Sequence, residues 1–214
     1  MALLTYLQLQ TRAALLMGES SASADLKAHI AAAVQDIVLI RPWTWTLTKG
    51  SNLSLSSGAA NLAATFNPKW GVTDARIVTT GSGNDNVFTR IAIEDKDKYT
   101  SDDYVYWVTY NTSSGFYVFN SLTQTGTVEY YHHIFPTDPV GDSNVVIVPD
   151  GEAVAYLAAS KMWIGDERDV KLQQVYSQEA AARIRSLVAA DAAVEFDQYD
   201  VNSVVSLNSN LWRK

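Results

Sequence analysis

The residues with most chemical reach in this chain are its histidines and carboxylates, and neither set is spaced for catalysis. Three histidines occur in 214 residues. His132 and His133 are neighbours in a strand-like run, where successive side chains point to opposite faces, so the two are not expected to share a metal. His29 stands apart on a helical stretch. There is no cysteine, which excludes disulfides and thiolate metal sites and leaves the redox compartment open. Gly81-Ser82-Gly83-Asn84-Asp85 resembles one unit of a calcium-binding glycine–aspartate repeat. Such repeats act by stacking many units, so a single copy reads as a hairpin loop. Asp95-Lys96-Asp97-Lys98 opens like an EF-hand loop but lacks its glycine and closing glutamate, and reads as a solvated charge run. No serine sits in a Gly-x-Ser-x-Gly elbow. Carboxylates are plentiful, yet no pair is marked for glycoside hydrolysis. The expectation is a non-enzyme without catalytic residues, metal or cofactor.

The aromatic set carries a different chemistry. The chain has 6 Trp and 11 Tyr, and Trp43, Trp45, Trp70, Tyr104, Tyr106, Trp107 and Tyr110 all fall in its middle. On a sheet face they could stack on sugar rings. They serve equally well in cores and protein interfaces, and that reading is preferred.

The elements that would position these residues change character along the chain. Thr5-Tyr6-Leu7-Gln8 fits a capping box, followed by Tyr6, Leu9, Ala13, Leu16 and Met17 on one helical face and a stop at Gly18. A second helix is expected from about Ala24 to Leu39, with Leu26, Ile30, Ala33, Val34 and Ile37 buried, ended by Pro42. From Trp43 the apolar period falls from about 3.6 to 2: Trp43, Trp45 and Leu47 alternate with threonines, as in a half-buried strand. Further strand-like runs are Ala75 to Thr79, Val87 to Ile93, Tyr104 to Tyr110, Phe116 to Asn120 and Thr127 to Ile134. Turn residues separate them, and Glu94 to Asp103 is expected to be a loop or one helical turn. This spacing suggests a sandwich or barrel. Helices return at Glu152 to Ile164, stopped by Gly165, and again after an Asp166 cap with Asp169 in the first turn. The last helix carries Leu172, Val175, Tyr176, Ala180, Ile184, Leu187 and Val188 as its stripe. After about Asp191 the pattern reads as decayed, and Glu195 to Lys214 is expected to be an extended arm that orders on a partner.

The predicted fold is therefore α+β: N- and C-terminal helical hairpins forming one bundle around an inserted antiparallel β-sandwich or barrel, with an extended C-terminal arm. The expected segments are residues 1–42 and 150–192 for the bundle, 43–149 for the β insert and 193–214 for the arm.

Composition limits the partners. The chain is 47% hydrophobic and 18% charged, and that charged share lies below the roughly 25% of ordinary soluble domains. Partner subunits covering part of the surface would account for it. A net charge of −7 and a pI near 4.9 provide no basic patch to grip phosphates, though an acidic wall that DNA slides past is allowed. Met1 to Met17 lacks a basic n-region and carries Arg12, so no signal peptide is expected. No uncharged apolar run reaches the roughly 18 residues a bilayer span needs.

The order of these signals resembles the head-to-tail adaptor (connector) proteins of tailed bacteriophages. The similar features are Thr-Tyr-Leu-x-Leu at Thr5 to Leu9, the helix closing on Arg41-Pro42-Trp43 and the turn at Ser57-Gly58. Phe66-Asn67-Pro68-Lys69-Trp70 before strand Ala75 to Thr79, and Val148-Pro149-Asp150 feeding the last helices, also fit. The resemblance covers about Thr5 to Ala190. It implies a virion protein, assembled in the host cytoplasm, that forms a ring of identical subunits, commonly twelve. Such a ring docks on the portal protein, continues the DNA channel without binding DNA specifically, and offers a platform for the next tail, stopper or nozzle component. No membrane partner and no cofactor are implied. Under this reading the candidate portal-binding residues are Val201, Val204, Val205, Leu207, Leu211, Trp212, Arg213 and Lys214, with Trp212 as anchor. The alternative is a carbohydrate-binding β-sandwich module with helical appendages.

Overall fold

The computed structural model describes residues 3–78, 86–136, 141–162 and 170–211, with side chains described as far as Val194. The fold is α+β. By its contacts the chain divides into two compact units, Met1–Trp45 with Pro136–Lys214, and Thr46–Phe135.

The first unit holds helices α1 (Tyr6–Leu16), α2 (Ala24–Val38), α3 (Gly151–Met162) and α4 (Val170–Leu211). The capping box at the start of α1 is present: the Gln8 amide donates to the Thr5 hydroxyl at 3.3 Å, and the Thr5 amide donates to the Gln8 side chain at 2.9 Å. The next two amides, which a helix leaves unpaired, donate to carbonyls of a distant segment. Tyr6 reaches Asn144 at 2.7 Å and Leu7 reaches Asp142 at 3.0 Å. Residues 141–148 therefore serve the helical unit, whereas the sequence pattern had placed them with the β part. Their Val-Val-Ile-Val run looks strand-like, but Val146 and Val148 are buried among the helices.

Helix α2 starts at Ser23, whose hydroxyl accepts the Leu26 amide at 3.2 Å. All five residues expected on its stripe are buried. The strand expected to begin at Trp43 does not. A 3₁₀ turn occupies Thr44–Thr46, and Trp43 is fully buried in the helical core with its indole N–H on the Ile37 carbonyl at 2.7 Å. Alternating Trp and Thr imitate a strand, but burying a large indole with its N–H on the Ile37 carbonyl near the end of α2 is the stronger demand.

Helix α4 departs furthest from expectation. Its backbone stays helical to Leu211, over 42 residues, or about 63 Å. The extended arm expected over 193–214 is thus replaced by helix through residue 211. No glycine or proline interrupts Val170 to Leu211, so nothing breaks the hydrogen-bond ladder. Only the middle of its expected stripe packs on the core: Ala180 is buried and Ile184, Leu187 and Val188 are half-buried, while Leu172 and Val175 are exposed.

The second unit contains β1 (Leu47–Lys49), β2 (Leu53–Leu55), β3 (Ala59–Asn61), β4 (Val72–Val78), β5 (Asn86–Val87), β6 (Thr89–Arg90), β7 (Val105–Asn111), β8 (Phe116–Ser121) and β9 (Gly126–His133). One sheet has the order β1-β9-β4-β5 with β2 also paired to β9, and the other runs β3-β8-β7-β6. Pairing is antiparallel except for β6 on β7. The short strands β2 and β3 lie where the sequence shows little besides turn residues. A tight turn joins them, with Ser57 at φ 55° and Gly58 at φ 80°. Val87 to Ile93, expected as one strand, is split into β5 and β6, and a 3₁₀ segment follows at Ile93–Lys98. One apolar cluster draws on both sheets, including Leu53, Leu55, Val72, Ile77, Val128 and Tyr130 from the first and Tyr106 and Phe119 from the second. Tyr106 and Phe119 stack at 4.8 Å and 7°.

Candidate assembly surfaces

The residues singled out for chemistry resolve into structural roles. His132 is buried, with its ring stacked on Tyr130 at 5.2 Å and 6.0 Å from Phe66. Both its ring nitrogens lack a hydrogen-bond partner among the described residues. Burial holds its pKa below the ordinary histidine value, and the neighbouring His133 adds to the effect. His133 is itself buried, with Nδ1 2.8 Å from the Thr46 hydroxyl. His29 is half-buried on α2. Among the described residues no three His, Cys, Asp or Glu side chains are grouped to hold a metal ion. Asp95 and Lys98 pair across one 3₁₀ turn at 2.6 Å, a local ion pair on the surface. Gly81 to Asp85 lie outside the described residues.

The aromatics do not form one platform. Trp43 stacks on Trp45 at 5.3 Å in the helical unit. Tyr106 is buried and donates its hydroxyl to the Val72 carbonyl at 3.0 Å. Tyr104 meets Phe88 edge-on at 5.6 Å, and Lys69 lies over Trp70 at 4.7 Å. Tyr110 and Tyr117 pair at 5.0 Å near the β7–β8 turn, where Tyr110 and Phe116 are exposed.

Of the proposed portal-binding residues, Val201, Val204, Val205, Leu207 and Leu211 fall on the helical backbone of α4. Trp212, Arg213 and Lys214 lie outside the described residues. In the sequence these apolar positions looked aperiodic.

The residue that anchors α4 was missed from sequence. Asp191 is buried, and its Oδ1 accepts both the Thr44 amide at 2.9 Å and the Thr44 hydroxyl at 2.6 Å. Its Oδ2 lies 3.3 Å from Arg41 Nε, whose guanidinium sits 5.7 Å from the Trp43 ring centre. The signal was an acidic residue three and four places after Val188 and Leu187, on the packed side of an otherwise apolar stripe. Farther up the helix, Tyr176 donates its hydroxyl to the Leu16 carbonyl at 2.6 Å, closing the end of α1.

Large apolar side chains are exposed in several places. Leu7 and Leu15 are exposed on α1, where Leu4, Leu7, Gln8, Thr11, Arg12 and Leu15 border a shallow apolar depression, and Leu3 is exposed just before the helix. No described helix is long and apolar enough to cross a membrane.

The sequence matches the profile of the SU10 adaptor protein family over residues 4–203. No curated protein matches the chain.

Proposed function

The chain belongs to the SU10 adaptor protein family, a family of phage head-to-tail adaptors, and from that premise we propose that it docks beneath the portal as a ring. It is a structural phage adaptor of the virion; the docking, the ring and the channel are the finer reading. In that reading the four helices act as one bundle that meets the portal. The two sheets act as a sandwich-like insert facing the next tail component, and the lumen extends the DNA channel.

The observation that carries this reading is the family match, which spans both compact units. The composition is consistent with it. A charge of −7 per subunit, repeated around a ring, gives a surface that DNA passes without sticking. The distal half of α4 supplies the contact in this reading: twenty helical residues follow Asp191, Val201, Val204, Val205, Leu207 and Leu211 among them. A helical segment rich in apolar residues can dock by insertion into a groove, and Trp212 with Arg213 and Lys214 continue the sequence beyond it. Val201 to Lys214 can be deleted and folding and portal association measured separately. Normal folding with lost association is the expected result. Association undiminished by the deletion would remove this segment from the portal contact.

A further inference from the structure

The outer face that β3, β8 and β7 form in the four-stranded sheet is unusual in a chain this acidic, because those three strands carry no charged residue. From Tyr104 to Val128 the sequence has no Asp, Glu, Lys, Arg or His, in a protein with 18% charged residues. The same stretch holds seven aromatic residues. Register decides which of them face outward. Phe119 and Val108 are opposite each other and belong to the core cluster, as does Tyr106. Their neighbours must point away from it: Trp107 opposite Asn120, Thr109 opposite Val118, and Asn111 opposite Phe116. On the adjoining strand Asn61 lies opposite Val118. Trp107, Thr109, Val118 and Asn120 are half-exposed, while Asn61 and Phe116 are exposed.

Two features make this face inexpensive to dehydrate. The Asn120 side-chain amide already donates to the Thr109 hydroxyl at 2.9 Å and to the Val118 carbonyl at 3.0 Å. Part of its polar surface is thus satisfied before any partner arrives, so covering it strands fewer groups. The remainder is the mixture of Trp, Phe and neutral side chains enriched in the centres of protein interfaces, where charged residues are depleted.

We propose that this face is where a second copy of the chain packs. The inference rests on the ring reading above and assigns the surface through which copies meet. Charge selects the occupant. Two subunits of −7 each repel wherever their acidic surfaces approach, and a basic partner would gain most from those same acidic surfaces. A neutral face spans about 10 Å across three strands and about 14 Å along them. Its edges lie about 5–7 Å from its centre, a large part of the Debye length of about 8 Å at physiological salt, so like copies meet there with least repulsion.

The test uses the full chain with Val118→Glu and Val118→Lys, compared with the parent by sedimentation velocity over a range of concentrations, alone and with the portal protein of the same virus. Circular dichroism and thermal melting establish that each variant is folded, and Thr109→Lys repeats the test at a second outward position. The expected result is that both signs of charge weaken self-association by about tenfold or more, with the Glu variant weaker than the Lys variant, and that added salt strengthens association of the parent. Folded variants that assemble like the parent overturn the proposal and leave the ring reading standing. A parent that stays monomeric both alone and on the portal overturns both. Variants that self-assemble normally but lose the portal assign the face to the portal instead. Binding of oligosaccharides that Trp107→Ala abolishes, with assembly intact, would make it a sugar platform.

Discussion

At the scale of single residues, two buried ionisable groups decide local stability. Asp191 is held by Thr44 and Arg41 where the chain leaves α2. Replacing it with Ala leaves the Thr44 amide without its acceptor and removes the buried carboxylate that lies 3.3 Å from Arg41, and should cost about 3 kcal/mol; chemical denaturation of the full chain measures it. His132 gives a pH signature. Its folded pKa lies below the ordinary value of 6.5 because burial disfavours the charged ring. The unfolded chain therefore binds a proton more readily than the folded one. The stability of the second unit is complete above pH 6.5 and falls as pH drops from there through the lowered folded pKa. His132→Phe should flatten that slope in melts recorded from pH 7.5 to 5, and an unchanged slope would mean that another group titrates. Glu129 acts in the same sense through a different cause: Lys49 at 2.7 Å and Arg76 at 3.4 Å hold its carboxyl below the usual range. That contribution is lost only as pH falls through the carboxylate region, so the histidine step is separable.

At the scale of elements, the helix starts and turns are the sensitive points. Thr5→Ala removes the acceptor of the α1 capping box and should cost about 1 kcal/mol, read as a lowered melting temperature. Gly58→Ala meets two obstacles. The backbone there is left-handed at φ 80°, and an added Cβ would lie 2.7 Å from the carbonyl oxygens of Ser121 and Leu122. A loss of about 1–3 kcal/mol is expected, and a neutral result would show that the β2–β3 turn is not held as described. These same elements show what the sequence made legible. Caps and amphipathic stripes act locally, so Thr5, Gln8, Ser23 and the α2 stripe could be read directly. Trp43 could not, because its partner is a carbonyl at the end of a helix rather than a strand neighbour. Leu53–Leu55 and Ala59–Asn61 are three residues each, too short for a period to show. The helical continuation past Asp191 was obscured by β-branched and Asn residues of modest helix propensity. The absence of any breaker was the better guide. The portal contact proposed for residues 201–214, the candidate site read from sequence, would depend on a partner surface that no intrachain pattern encodes.

At the scale of the whole molecule, the second unit should be separable from the chain that carries it. It has its own core, in which Val128, Phe119 and Tyr130 are essentially inaccessible to solvent. Its two ends are tied to each other rather than left loose: the Ile134 amide donates to the Thr46 carbonyl at 2.9 Å, and Leu47 pairs with His133. A unit whose termini are adjacent and paired closes on itself, the arrangement that lets domains be inserted into a host fold. The fragment Thr46–Phe135 is large enough to bury an independent core. It should fold alone, with a β-type circular dichroism spectrum and one cooperative thermal transition. The reciprocal variant, with Trp45 joined to Pro136 through a short glycine–serine linker, should keep its helical spectrum, because the described core of α1, α2 and α3 is built from residues of the first unit. If the fragment is unfolded at every temperature, the sheets depend on the host for stability. If instead it folds and the linked helical chain still associates with the portal, then the portal contact resides in the helical unit. The β unit would then be free to meet other subunits or the next tail component.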